Sequence, residues 1–176
     1  MSVNDFDQFP DLGAIVITYR SILQEREDLQ KELMTFLTGS QSDNGQIMAV
    51  FTEGARTILD KMSLLEQKQN DIQADMVQFA KILNGFKSIR ELMDALRRAK
   101  TAVQNVGLEH KNVVKSALDR HPGMPLDDIQ MLDDVRESGL KVDRVRAKND
   151  PIVIDLEQRK KAANEILAKY NAEAVA

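Results

Sequence analysis

Residues 46–84 read QIMAVFTEGARTILDKMSLLEQKQNDIQADMVQFAKILN. Within this stretch Phe51, Ile58, Leu65, Ile72 and Phe79 recur every seven residues, and Phe86 continues the series just past it. A companion series stands three residues earlier each time: Met48, Ala55, Met62, Gln69, Met76 and Leu83. Seven residues are close to two helical turns, so both series fall on one side of a helix. Together they fill the two core positions of about five heptads, with Gln69 the single polar member. Nothing but a long helix packed lengthwise asks for this pattern. At about 1.5 Å per residue it is roughly 58 Å long. A compact domain of this chain length has a radius of gyration of about 16 Å. The helix is therefore expected to bend, or to belong to an elongated molecule that meets another chain. The expected interaction seam is Phe51, Ile58, Leu65, Ile72, Phe79 and Phe86.

Working outward, the same three-and-four spacing continues on both sides. Leu12, Ile15, Tyr19, Ile22, Leu29, Leu33 and Phe36 mark a helix over 10–38, with Arg26 a polar intruder on its seam. Gly39 to Gly45 reads as the turn of an antiparallel hairpin between this helix and the long one. Asn84–Gly85 reads as a helix end. Ser88 followed by Glu91 reads as a capping box opening a third helix over 88–121, in which Gly107 is a weak point. Pro122 forces its end, because the residue before proline avoids helical geometry. A fourth helix is expected over 125–148. Asp150 then caps a fifth, over 151–171, with Pro151 in its first turn. The β-branched run Ile152–Val153–Ile154 leaves a short strand at 151–154 as an alternative. The fold class that follows is all-α: an elongated helical bundle of about five helices, in one domain spanning 1–176, with a long coiled-coil-like hairpin.

Composition narrows the function classes. Hydrophobic residues make up 43% of the chain and aromatics only 5%, which suits thin aliphatic seams better than a thick core. The net charge of −4 weighs against a wholesale nucleic-acid coat. There is no cysteine, so no disulfide, thiolate metal ligand or thiol nucleophile. The first eleven residues lack the basic start of a secretory signal, and the apolar run Ala14–Ile17 is too short to span a bilayer. The expected location is the cytoplasm, or a particle assembled inside the cell.

Each candidate site has a plainer rival. Gln69 reads as a register-setting polar residue in the seam or as a wet, splayed position. Asp127, Asp128, Asp133 and Asp134 are carboxylates of the kind that hold hard cations. However, Asp127 and Asp134 lie about 10 Å apart on one helix, and the first pair also suits a helix start. His110 and His121 lack any nucleophile or orienting acid placed by the sequence. Arg97, Arg98 and Lys100 form one basic cluster. A second basic segment holds Lys141, Arg144, Arg146 and Lys148, followed by Arg159, Lys160 and Lys161. These could meet phosphates or an acidic partner, yet carboxylates are interleaved and no aromatics alternate with them as a stacking platform would need.

No Glu-x-x-His motif appears, so the metal-dependent chemistry common in helical bundles is not expected. No cofactor, metal or small-molecule substrate is expected either. The reading is a non-enzymatic structural or assembly protein acting on a protein partner or on itself, as in a phage or virus particle or a secretion apparatus. The alternative is a nucleic-acid-associated helical protein using residues 141–161.

Overall fold

The computed structural model describes residues 3–39 and 45–173, and the side chains of 5–36 and 53–171. All the α-helices in it follow the spacing of the apolar residues. They are α1 (Gly13–Gly39), α2 (Gly45–Leu83), α3 (Ile89–Arg120), α4 (Leu126–Met131) and α5 (Asp133–Glu173). Two short 3-10 turns, Val3–Phe6 and Pro10–Leu12, precede α1. The fold is all-α with five α-helices, and no strand occurs among the described residues. Ile152–Val153–Ile154 is helical, which removes the strand alternative.

The chain divides into two compact units. One runs to Lys87 and includes the chain from Glu165 onward; the other is Ser88–Asn164. No linker composition marks either division. The first falls at the tight Asn84–Ser88 turn and the second inside a helix, so a search for Pro/Gly/Ser linkers finds neither.

In the first unit α1 lies along α2. The ring of Phe36 sits where a Cβ on Gly54 would meet it at 3.3 Å. Arg26 and Tyr19 both reach Gln69. Before α1, Phe9 meets Phe79 edge-on at 6.3 Å. Position rises along one strand of contacts as it falls along the other, so the two helices run antiparallel. Ile15, Tyr19 and Ile22 of α1 are buried, as are Ile58, Leu65, Ile72, Met76, Phe79 and Leu83 of α2. The seven-residue series thus holds through Phe79. Phe86 departs from it: Asn84 (φ 33°) and Gly85 (φ 95°) take left-handed backbone, α2 ends at Leu83, and Phe86 is half-buried beyond it. Glycine meets that geometry without strain. Phe51 lies within α2, but its side chain is outside the described residues, as is most of the 39–45 loop.

In the second unit α3 opens as expected. The Ser88 hydroxyl accepts the Glu91 N–H at 3.2 Å, and the helix runs unbroken through Gly107 to a cap at His121. Gly123 (φ 86°) turns the chain after Pro122. Ala117, Ile129 and Val135 then close a small core with Val113, Val114, Met124 and Leu132 around it.

The expected helices over 125–148 and 151–171 are corrected. The break falls at Leu132, whose ψ of 138° is extended, and α5 passes straight through Pro151. Proline there removes one N–H from the helix ladder and crowds the carbonyl four residues back. Burial outweighs it: Val142 before Pro151 and Leu156 and Ala163 after it are all buried. In the turn before the proline, the Asn149 side chain donates to the Val145 carbonyl at 2.8 Å.

Candidate functional site

Gln69 stands on α2 where the periodicity puts a core residue, and α1 supplies two polar partners for it. Its Nε2 donates to the Tyr19 hydroxyl at 3.0 Å. Its Oε1 accepts from an Arg26 Nη1. The Arg26 guanidinium also reaches toward Glu66 at 4.0 Å, and its Nε is buried without a partner among the described residues. Arg26 and Gln69, the two polar intruders of the two seams, thus meet each other across the hairpin. Tyr19 is 4% exposed, so this is a polar layer inside an apolar stack.

The other seam residues nominated for interaction have a different fate. Ile58, Leu65, Ile72 and Phe79 are buried within the chain itself. Outward-facing surface must therefore come from the other sides of the helices.

The histidines separate. His121 caps α3. His110, half-buried on α3, meets Ser138 of α5, with Nδ1 and Oγ 2.7 Å apart. The Ser138 hydroxyl has one proton, which goes to the Val135 carbonyl at 2.7 Å. The network therefore assigns the shared proton to Nδ1, with Ser138 as acceptor. A serine held this way is not deprotonated by that ring nitrogen. The pair joins α3 to α5, and Gly139 leaves room for the ring, whose Cε1 would lie 3.6 Å from an added Cβ.

The acidic cluster is divided among arginines. Asp133 accepts from Arg136 at 3.2 Å and Asp134 from Arg120. The Arg120 bond holds the Asp134 carboxyl below the usual carboxylate range, helped by the Val135 N–H. Asp28 on α1 is lowered likewise, by bonds from Lys31 and Gln24. Asp127 and Asp128 sit in the first turn of α4. Among the described residues no three His, Asp or Glu side chains converge as metal ligands would.

The basic segment is also divided. Lys141 pairs with Glu109, and Arg159 with Asp155 at 2.9 Å. Of the earlier cluster, Arg97 pairs with Asp94 at 2.8 Å and Lys100 with Glu157. Arg144, Arg146 and Lys148 are exposed. Arg144 and Lys148 share a face, whereas Arg146, two residues from each, points away from it. Lys160 is half-buried and Lys161 exposed. On α5 Lys141, Arg144, Lys148 and Arg159 fall within about 60° of arc, Lys141 and Arg159 being already paired, while Arg146, Lys160 and Lys161 lie on other sides.

Two features carry no signal in the periodicity. Phe6 is 1% exposed, and its neighbour Asp7 receives Arg20 in a two-pronged salt bridge at 2.9 and 3.0 Å. The N-terminal segment is thereby folded onto α1. Asp75 on α2, its side chain only 15% exposed, accepts from Lys169 at 2.9 Å and from the Tyr170 hydroxyl at 2.8 Å. These bonds fix the end of α5 to α2.

The chain matches no family model, no curated protein and no solved structure. No described helix is long and apolar enough to cross a membrane.

Proposed function

We propose that this protein is an assembly component that binds a second copy of itself through the outer faces of its long helices. The observation that carries this reading is the set of large apolar side chains left on those outer faces. Ile17 is 69% exposed, Leu108 59% and Ile154 57%. Single exposed apolar residues are ordinary; here they recur along helices whose inner faces are already satisfied. The Tyr19–Gln69–Arg26 layer supports the same reading. A polar layer in an otherwise apolar seam fixes the pairing register, and a fixed register holds the outer faces in one alignment.

The test is cross-linking of a mixture of isotopically light and heavy chains. Lysine–lysine links that join a light chain to a heavy one would support self-association. Links confined to single chains at every concentration would refute it. The rival reading, nucleic-acid association through residues 141–161, draws on the exposed Arg144 and Lys148. It requires a DNA or RNA mobility shift that falls steeply with salt.

A further inference from the structure

The buried face of α3 carries Ile89, Leu92, Leu96, Ala99 and Ala117. Beside it, about 110° round the helix, runs a second stripe at the same three-and-four spacing, and all of it is exposed. Its charged members are Arg90, Arg97, Lys100, Lys111 and Lys115. Between them stand Met93, Leu108 and Leu118, which are 40%, 59% and 40% exposed, and Gln104. At 100° per residue these nine positions fall within about 80° of arc and extend over about 42 Å. The stripe holds five cations and no carboxylate. Arg97 and Lys100 lean on Asp94 and Glu157 beside the stripe, while Arg90, Lys111 and Lys115 make no ion pair among the described residues.

Helix α1 carries the complement. Ile17, Ser21, Glu25, Asp28, Glu32 and Phe36 share a face at the same spacing, all exposed. They span about 28 Å, with three carboxylates gathered within about the central 10 Å and no cation; Asp28 also accepts from Lys31 and Gln24. Along them runs a shallow trough of about 430 Å³ lined by Ser21, Gln24, Glu25, Asp28, Leu29 and Glu32. Such a trough suits lysine and arginine stems, which lie on apolar carbon while their heads reach carboxylates.

We propose that the basic–apolar stripe of α3 in one copy docks on the acidic–apolar stripe of α1 in a second copy. This rests on the assembly reading and names its surface. The cations of α3 are interleaved with methionine and leucine, and the carboxylates of α1 are flanked by isoleucine and phenylalanine. Phosphates alone would leave Met93, Leu108 and Leu118 unused. One helix laid on another is at the small end of specific interfaces, so the association is concentration-dependent and weakened by salt, whose screening length shrinks from about 10 Å at 0.1 M to about 3 Å at 1 M.

The experiment is sedimentation velocity on three proteins at low and high salt: the wild type, a triple variant Arg90→Glu, Lys111→Glu, Lys115→Glu, and a double variant Glu25→Lys, Glu32→Lys. These side chains are exposed and outside the internal ion pairs described above, and circular dichroism checks that each variant keeps its helix content. The expected result is a wild type that self-associates at low salt, and variants in which the association constant drops by about tenfold or more. Mixing the two variants should then restore association, because each supplies the charge the other lost. A wild type that associates while neither variant changes, or variants that fail to rescue each other, would overturn the stripe and leave the assembly reading standing. A wild type that stays monomeric throughout would overturn both. If that monomer instead binds a single-stranded oligonucleotide and the triple variant does not, the stripe serves a nucleic acid and not a second copy.

Discussion

Replacing Gln69 with leucine would look, from the periodicity alone, like repairing the seam, yet the structure predicts damage. Gln69 accepts from the charged Arg26 and donates to Tyr19. A bond to a charged group contributes about 1.5–3 kcal/mol and a neutral one about 1 kcal/mol. Burying the leucine side chain offsets about 1 kcal/mol of that loss, since Gln69 is only half-buried. The net expectation is a loss of about 2 kcal/mol. Most of it comes from Arg26, whose Nε already lacks a partner among the described residues and whose Nη1 would lose its acceptor. Removing all three polar groups should behave differently. In Tyr19→Phe, Arg26→Met, Gln69→Leu no buried donor is left stranded, and stability should return to within about 1 kcal/mol of wild type. Urea unfolding measures both. There is no tryptophan, and Tyr19 and Tyr170 lie in the same compact unit as Gln69. Tyrosine fluorescence therefore follows that unit, and Tyr170 still reports in the triple variant. A single variant within about 0.5 kcal/mol of wild type, or a triple variant no better than the single, would refute the reasoning.

Ile72→Asp places a carboxylate at a site 6% exposed. It should unfold the first unit, seen as lost helical circular dichroism; a folded variant of unchanged mass would show that the seam is not a core. Pro151→Ala restores a missing helix donor and removes a ring clash. It should raise the urea midpoint by the equivalent of about 1–3 kcal/mol, whereas a fall would mean that packing on both sides requires the proline. Asp134 has its folded pKa lowered by Arg120, so its stabilising contribution is present above the unfolded value of about 3.9 and is lost as pH falls through the lowered folded value. Wild type should therefore exceed Asp134→Asn in stability at neutral pH and converge with it in acid. A gap that persists in acid would assign the effect to something other than ionisation.

What was legible in the sequence was whatever burial writes as a period or a turn writes as a residue type. The seven-residue series located α2 and its buried face, Ser88–Glu91 located the start of α3, and the His121–Pro122–Gly123 turn located its end. The errors have physical causes. Pro151 looks like a helix start because its local cost is plain, whereas the burial of Val142, Leu156 and Ala163 that outweighs it is a tertiary effect. Phe6 and Phe9 sit in or beside 3-10 turns, where no repeat announces that they are core. The bonds from Lys169 and Tyr170 to Asp75 join residues more than ninety positions apart, and neither end is unusual for a helix surface. Gln69 and Arg26 were each visible as intruders, but only the antiparallel register shows that they answer one another. The outer stripe of α3 has the spacing of a seam. Its lysines and arginines read as solvated surface until the adjoining face is known to be buried.

The measurement that bears most directly on the assembly reading is absolute mass by light scattering after size exclusion, over a range of concentration and at low and high salt. The reading predicts a mass rising from the single-chain 19.8 kDa toward two or more chains at low salt, and falling back as salt is added. A mass of one chain at every concentration and salt would contradict it.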